Sequence, residues 1–447
     1  MKDESKTYCC IDLKSFYASV ECIARGKDPY QHPLVVADPA RGEKTICLAV
    51  SPALKARGVP GRCRVFEIPK GIEYEKAKPR MRLYMEVSAK IVATYLKFVS
   101  ASDLHVYSID ECFIDLTPYI TLYKMSAKDL VEQLRTAVYE ETGITATAGI
   151  GPNLFLAKVA LDVTAKHTKD NIGILDAESF RRIIWPHRPI TDIWQIGRGI
   201  ARRLEKFGIY DLGGVAHANI DLLYKEFGIN AEYLFDHAWG IEPCTISEIK
   251  AYEPESTSFG NGQVLPCDYT FEEGRMILRE MVDETALDLV DKRLVTSHLS
   301  LYVGYRKDTD ASTAVQDECD ATSNESKNGN ESGKRSSNHT SVSQKLTFAT
   351  NSFSKLLQLF DRLFCEKVDP HRPIRRINLA CGNLEPEEYA TYSLFDDVAA
   401  EEEERARQDA LLEIKHRFGK DAVMRGTSYK EKARGIERAH QVGGHHA

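Results

Sequence analysis

Val106-Tyr107-Ser108-Ile109-Asp110-Glu111-Cys112-Phe113-Ile114-Asp115-Leu116 decides how the rest of the chain is read. Apolar and polar residues alternate on either side of Asp110-Glu111, so residues 106–109 and 112–116 are expected to form a hairpin with two carboxylates at its tip. Tyr8-Cys9-Cys10-Ile11-Asp12-Leu13 is an apolar run of strand length that also ends at a carboxylate. Neighbouring strands of one sheet would carry Asp12, Asp110 and Glu111 to one edge. Clustered carboxylates repel one another unless a cation lies between them. Hard oxygen ligands suit Mg²⁺, which completes its octahedron with water and substrate phosphates. Two such ions about 3.5–4 Å apart can hold the attacking and leaving oxygens of an in-line phosphoryl displacement. Taken singly, each Asp also reads as a turn residue.

Outward from these two stretches, strand and helix patterns interleave to about residue 165, the signature of a sheet covered by helices. Short strands are expected over residues 34–37, 45–49 and 145–150. Helices are expected over 15–23, 52–57, 84–99, 127–142 and 154–162. Residues 177–239 read as nearly all helical. Residues 250–384 read as a separate α+β unit, with strands over 298–305, 345–349 and 375–381 and helices over 272–289 and 354–364. Residues 308–340 are rich in Ser, Asn, Asp, Thr and Glu, with one Val and no aromatic residue. Such a segment cannot bury enough apolar area to offset chain entropy, so it is expected to be a disordered insertion between two adjacent strands. An acidic tail, a charged helix over 406–418 and a basic end close the chain.

At 447 residues and 50.3 kDa the chain holds several domains. No run of about 18 apolar residues is present, so no membrane span is expected, and the polar start, Met1 to Lys6, lacks the apolar core of a secretion signal. The 11 cysteines include no Cys-x-x-Cys pair, so zinc is not expected and reduced thiols in the cytoplasm are. Net charge is −7, which by itself argues against nucleic acid. The charge is segregated, however. Arg41 to Arg82 holds eleven Lys/Arg against four acids, Arg181 to Lys206 holds seven against two, and Glu385 to Glu404 has no base. Binding follows the local field, so two basic patches survive an acidic total.

Ile11-Asp12-Leu13-Lys14-Ser15-Phe16-Tyr17-Ala18-Ser19-Val20-Glu21 and Tyr107 to Leu116 resemble two signature blocks of the Y-family DNA polymerases, in the UmuC-like branch. They stand in the family's order, about a hundred residues apart, and the resemblance runs from Tyr8 through Cys381. It implies that Asp12 and Asp110 bridge two Mg²⁺ ions, that Glu111 holds the ion near the primer 3′-hydroxyl, and that the Leu13 carbonyl reaches the nucleotide-bound ion. Asp115 falls outside that ligand set. The resemblance also makes Tyr17 the ring that excludes a ribose 2′-hydroxyl and Phe16 the pocket floor, although both also read as helix core.

Ser51-Pro52-Ala53-Leu54-Lys55-Ala56-Arg57-Gly58 resembles the segment that holds the triphosphate. Pro52 and Lys55 stand where many members have Tyr and Arg, so Lys55 brings charge without the bidentate fork. Gly149-Ile150-Gly151-Pro152-Asn153-Leu154-Phe155-Leu156-Ala157-Lys158 resembles a third block. Its glycines also read as a weak phosphate cradle. Thr164-Ala165-Lys166 matches an Ala-Lys pair whose Lys reaches the triphosphate, with His167 where many members have Pro.

Ile193-Trp194-Gln195-Ile196-Gly197-Arg198-Gly199-Ile200-Ala201-Arg202-Arg203-Leu204 reads as helix, Gly-turn, helix. It resembles the helix-hairpin-helix element that grips DNA phosphates without reading sequence. Gly197, Gly199, Arg198 and Arg202 are its candidate contacts, and Arg375 and Arg376 are candidates on a later strand. Thr391-Tyr392-Ser393-Leu394-Phe395 resembles the peptide by which bacterial polymerases bind the sliding clamp, with Leu394 and Phe395 filling an apolar pocket and Thr391 in place of the usual Gln.

The expected fold is therefore a multidomain α+β right-hand polymerase. Its ferredoxin-like palm spans residues 1–22 and 75–167, small fingers 23–74, and a helical thumb 168–245. An α+β little finger follows over 246–384, then a tail over 385–447. The expected function is error-prone translesion synthesis in DNA damage tolerance, of the SOS-response and mutator kind. A monomer is expected to work on primer-template DNA and dNTPs. A catalytically silent DNA- or clamp-binding factor is the alternative, opposed by the intact Asp12, Asp110, Glu111 and Tyr17. A nucleotide cyclase with a similar palm is opposed by the DNA grip.

Overall fold

The structure, a computed structural model, describes residues 6–254, 257–306, 338–390 and 397–446. It divides into two compact units, one of Met1–Glu253 with His445–Ala447 and one of Pro254–Gly444. No helix among the described residues is long and apolar enough to cross a membrane.

The first unit is centred on a five-stranded sheet in the order Leu104–Val106, Glu111–Asp115, Tyr8–Leu13, Ala146–Gly151, Ile172–Ile174. All neighbours are antiparallel except the last pair. Alternation sends Cys9, Ile11 and Leu13 into a core shared with the helices Met81–Tyr95 and Ala127–Thr142. Tyr8 and Cys10 point the other way, onto Leu154, Ala157 and Leu161. That second face is unusually close to its cover. A Cβ on Gly149 would lie 2.1 Å from the Ala157 carbonyl oxygen, and one on Gly151 would lie 2.7 Å from the Ala157 nitrogen. These glycines therefore serve helix-on-sheet packing, and the phosphate-cradle reading is corrected. The helix expected over 154–162 is α-helical only as Leu154–Val159 and continues as a π-helical turn, Ala160–Thr164.

Smaller differences have local causes. The helix expected over 84–99 is found at Met81–Tyr95. The strand expected over 45–49 shrinks to Ala49–Val50, with Ile46 making only a single bridge to Arg64. With Leu34–Val36 and Glu75–Ala77 it forms a three-stranded sheet over its own core of Val35, Cys47, Leu54 and Val65. The first arm of the expected helix-turn-helix is one 3₁₀ turn, Ile190–Asp192, closed off by Gln195 at φ 69°. Residues 246–251, expected to open the little finger, form the helix Ile246–Ala251 in the first unit, where Ile246 packs with Tyr8 and Phe113.

The second unit has a four-stranded antiparallel sheet, in the order His339–Thr350, Leu294–Tyr305, Ile374–Pro386, Ser258–Tyr269. The helices Phe271–Asp291 and Phe353–Lys367 cover one face, with Ile277, Met281, Phe360 and Phe364 fully buried. The expected insertion does separate two adjacent strands, since Gly304 pairs with His339. Its last residues, His339 and Thr340, belong to a strand, and residues 308–337 lie outside the described ones. The described residues after 385 pack against the second unit. A helix runs over Val398–Phe418, and ion pairs Lys355–Glu401 (2.6 Å), Arg405–Glu387 (2.6 Å) and Arg425–Asp283 (2.6 Å) fasten the C-terminal residues to this unit. The clamp-like residues Leu394 and Phe395 lie outside the described residues.

Candidate active site

The central strand fixes the first carboxylate. Asp12 stands directly opposite Glu111 on one neighbour and Thr147 on the other. Cross-strand partners share a face, so Asp12 and Glu111 both project toward the Leu154–Val159 helix. Asp110 sits at the hairpin tip. Its Oδ1 accepts a hydrogen bond from the Ser108 hydroxyl at 2.8 Å, and the Ser108 hydroxyl oxygen accepts from the Glu111 N–H at 3.0 Å. The Asp110 carbonyl accepts from the Leu13 N–H at 3.0 Å, which ties the tip to the end of the central strand. The three carboxylates expected at one edge are thus brought together. Asp115 accepts from the Thr117 N–H instead, a local turn bond at 2.9 Å.

Burial, followed by the charges of Asp110 and Glu111, raises the Asp12 pKa to about 7, with Lys158 opposing. A site that makes a carboxylate reluctant to ionise is one that a cation would relieve. The oxygen-only donor set of Asp12, Asp110 and Glu111 fits a hard divalent ion. As the side chains stand, no three metal-binding groups converge on one point among the described residues. Glu111 is turned to the Lys158 ammonium, which also holds Asp162 at 3.0 Å.

Lys158 escaped the reading of the sequence. Its side chain is only 7% exposed, and it is the sole charge in Leu154-Phe155-Leu156-Ala157-Lys158-Val159-Ala160-Leu161. A buried ammonium demands partners, and that lone charge in an apolar helix was the available signal. Burial pushes its pKa down, but Cys10, Asp162 and Glu111 outweigh burial, and the ammonium is held above its ordinary value. It fixes the orientation of Glu111.

The strand passes into the Phe16–Ala24 helix through Ser15, in the left-handed region at φ 50°. This strained turn sets Tyr17 within electrostatic reach of Asp110. Tyr17 is half-buried, and burial, then the Asp110 charge, raises its phenol pKa. Phe16 is 2% exposed and lies in the core, so a ligand does not reach it directly. Tyr17 stacks on Tyr84 with centroids 4.5 Å apart. Lys55, at the end of a short helix begun by Ser51 and Pro52, is exposed, as is Lys166. Packing lowers the Lys55 pKa, Asp12 pulls it up and Lys166 pushes it down, which places both cations within electrostatic reach of one another.

Farther along the first unit, Arg198 and Arg202 lie one turn apart and exposed on the helix Arg198–Glu205. Among the described residues neither is engaged by an acid, whereas Arg203 is spent on Glu226 at 2.7 Å. A Cβ on Gly197 or Gly199 would touch nothing within 4 Å, so the turn is open to a partner's approach. In the second unit Arg376 is exposed, while Arg375 faces Asp268 at 3.5 Å.

The impB/mucB/samB family matches residues 11–162, and the impB/mucB/samB family C-terminal domain matches residues 256–394. UvrX of Bacillus subtilis (strain 168), whose name refers to UV-damage repair, is 31% identical over 444 residues, covering 98% of this chain and 97% of that protein. A protein of the same organism named DNA polymerase IV 2 is 29% identical over 456 residues, covering 99% of each chain. The DNA polymerase IV 2 of Halalkalibacterium halodurans is 28% identical over 445 residues, covering 99% of each chain. Among solved structures, a chimeric Y-family DNA polymerase has a similar fold, with a TM-score of 0.61 at 20% identity over 84% of this chain and 98% of that one.

Proposed function

We propose that this chain, which belongs to the impB/mucB/samB family and is a Y-family DNA polymerase of the lesion-bypass class, joins a dNTP to a primer 3′-hydroxyl by two-metal nucleotidyl transfer. The observation that carries the reading is the pairing of Asp12 with Glu111 beside the Asp110 tip. Asp12 and Asp110 would hold both Mg²⁺ ions, Glu111 the primer-side ion, and the Leu13 carbonyl the nucleotide-side ion. When bound, the ions activate the primer hydroxyl and offset charge on the departing pyrophosphate. Lys55 and Lys166 would steady the triphosphate, and Lys158 keeps Glu111 in place. Magnesium-dependent extension of a primed template tests the whole reading. A purified protein that binds the duplex but adds no nucleotide would be the silent binding factor instead.

The duplex grip is assigned to Gly197, Gly199, Arg198 and Arg202, with Arg376 on the second unit and Arg375 held back by Asp268. Phosphate contacts carry no sequence preference. Arg198→Ala with Arg202→Ala is therefore expected to weaken binding about equally on all sequences and to flatten the salt dependence by roughly one unit for each phosphate no longer held. Fluorescence anisotropy at several salt concentrations measures this, and an unchanged slope removes the helix from the DNA path.

The protein is proposed to act as a cytoplasmic monomer that docks on the sliding clamp through Leu394 and Phe395. Replacing both with Ala is expected to abolish stimulation by the clamp while short, distributive synthesis continues. Product-length distributions with and without clamp decide it, and persistent stimulation places the docking site elsewhere.

A further inference from the structure

Glu21 is fully buried inside the first unit, one helical turn beyond Tyr17. Three donors meet its carboxylate. The Arg80 guanidinium donates through Nε at 2.9 Å and Nη2 at 2.7 Å, the Tyr84 hydroxyl donates at 2.7 Å, and Arg25 donates from the residue just past the same helix. Arg80 and Tyr84 are themselves one turn apart. Two residues of one helix thus face two at the start of another, with Tyr17 against Tyr84 and Glu21 against Arg80 and Tyr84.

Tyr84 is 0% exposed, so its ring has no room to turn, and Glu21 pins its hydroxyl end. The Tyr17 ring lies on it nearly parallel, at 20°. Tyr17 is the member of the pair that solvent and the Asp110 carboxylate can reach. A steric gate excludes a hydroxyl only while it cannot swing aside, and a lone tyrosine has two free torsions with which to do so.

We propose that Tyr84, anchored by Glu21, is a positioning residue that locks the plane of Tyr17 and so sets discrimination between deoxyribo- and ribonucleotides. This rests on the reading of Tyr17 as the gate. Tyr84 does not touch the nucleotide. It removes the rotamers in which Tyr17 would admit a 2′-hydroxyl, so its loss raises ribonucleotide use rather than depressing synthesis in general.

The test is single-nucleotide kcat/KM for matched dNTP and rNTP on one template. Tyr84→Leu is expected to lower the dNTP-to-rNTP ratio by about tenfold or more, chiefly by raising the rNTP value. In a Tyr17→Ala background the same change is expected to add nothing further, because two residues that act through one shared stack are not additive. A folded Tyr84→Leu protein with the wild-type ratio overturns the proposal, as does a fall in both kcat/KM values with the ratio kept, which is the mark of a merely structural residue. Tyr84→Phe keeps the ring and loses only the bond to Glu21. It is expected to lower the ratio about threefold, and if Tyr84→Leu does not fold, an unaltered ratio in Tyr84→Phe is the overturning result. Tyr17→Ala run alongside separates the two readings. If it leaves the ratio intact, the gate itself is wrong and Tyr84 falls with it. If it collapses the ratio while the Tyr84 variants do not, only the present proposal fails.

Discussion

Asp110→Ala is expected to stop primer extension while leaving duplex binding in place. Asp110 is the tip carboxylate, oriented by Ser108 and joined through its own carbonyl to the end of the central strand. Its removal would leave two carboxylates, Asp12 and Glu111, to hold two divalent ions, and Glu111 is already engaged by Lys158. If Asp110 is shared by both ions as proposed, its loss would take several kcal/mol of stabilisation from the transition state. At 1.36 kcal/mol per decade, about 4 kcal/mol corresponds to roughly a thousandfold fall in single-turnover rate, and a larger fall is expected if an ion is lost altogether. The binding constant for primer-template is expected to stay within about twofold, since Arg198 and Arg202 lie on a different element. Near-normal extension by this variant would remove the two-metal assignment. A parallel loss of binding would instead mean that the hairpin had collapsed.

Tyr17→Ala carries the second large effect, on choice of sugar. Exclusion by a ring is steric, so bulk matters and the phenol oxygen does not. Tyr17→Phe is expected to keep most of the selectivity, since the stack on Tyr84 needs only the ring. Tyr17→Ala is expected to lose on the order of 10²–10⁴-fold in the ratio of dNTP to rNTP kcat/KM, or roughly 3–5 kcal/mol of discrimination. Insertion of dNTPs is expected to fall less, because the carboxylates and the two lysines proposed to hold the triphosphate are untouched. An unchanged ratio would return Tyr17 to the helix core. Phe16 could not simply inherit the role, because it is buried in the core.

The division between what the sequence disclosed and what it withheld follows the range of the forces involved. Asp12 and Glu111 were legible because period-two alternation places a residue on a face without knowledge of the partner strand. The pairing of Lys158 with Glu111 spans 47 residues, and that of Glu21 with Arg80 spans 59. Nothing local specifies such pairs beyond a charge stranded in an apolar run. Gly149 and Gly151 misled in a different way. A glycine demanded by a helix that leaves a Cβ only 2.1–2.7 Å of room looks, in sequence, like a glycine demanded by a phosphate. The described C-terminal residues look like a tail in sequence because they carry few apolar side chains. They are fastened by ion pairs such as Arg425–Asp283 and Arg405–Glu387, whose acids lie earlier in the chain.

The π-helical turn at Ala160–Thr164 gives one region of the chain an unusual response to length. Each residue of an α-helix advances the side-chain direction by about 100°, and a π turn takes in one residue more than an α turn would. Lys158 comes before that turn and Lys166 after it, so the turn sets the angular phase between the two lysines. Deleting one residue from Ala160–Thr164 would shift the buried Leu161 and Val163 within their cores. It would also act as a rotation, turning Lys166 by about 100° about the helix axis relative to Lys158. Insertions and deletions here act on the bearing of a charge, whereas in the surface loops they would act only on reach.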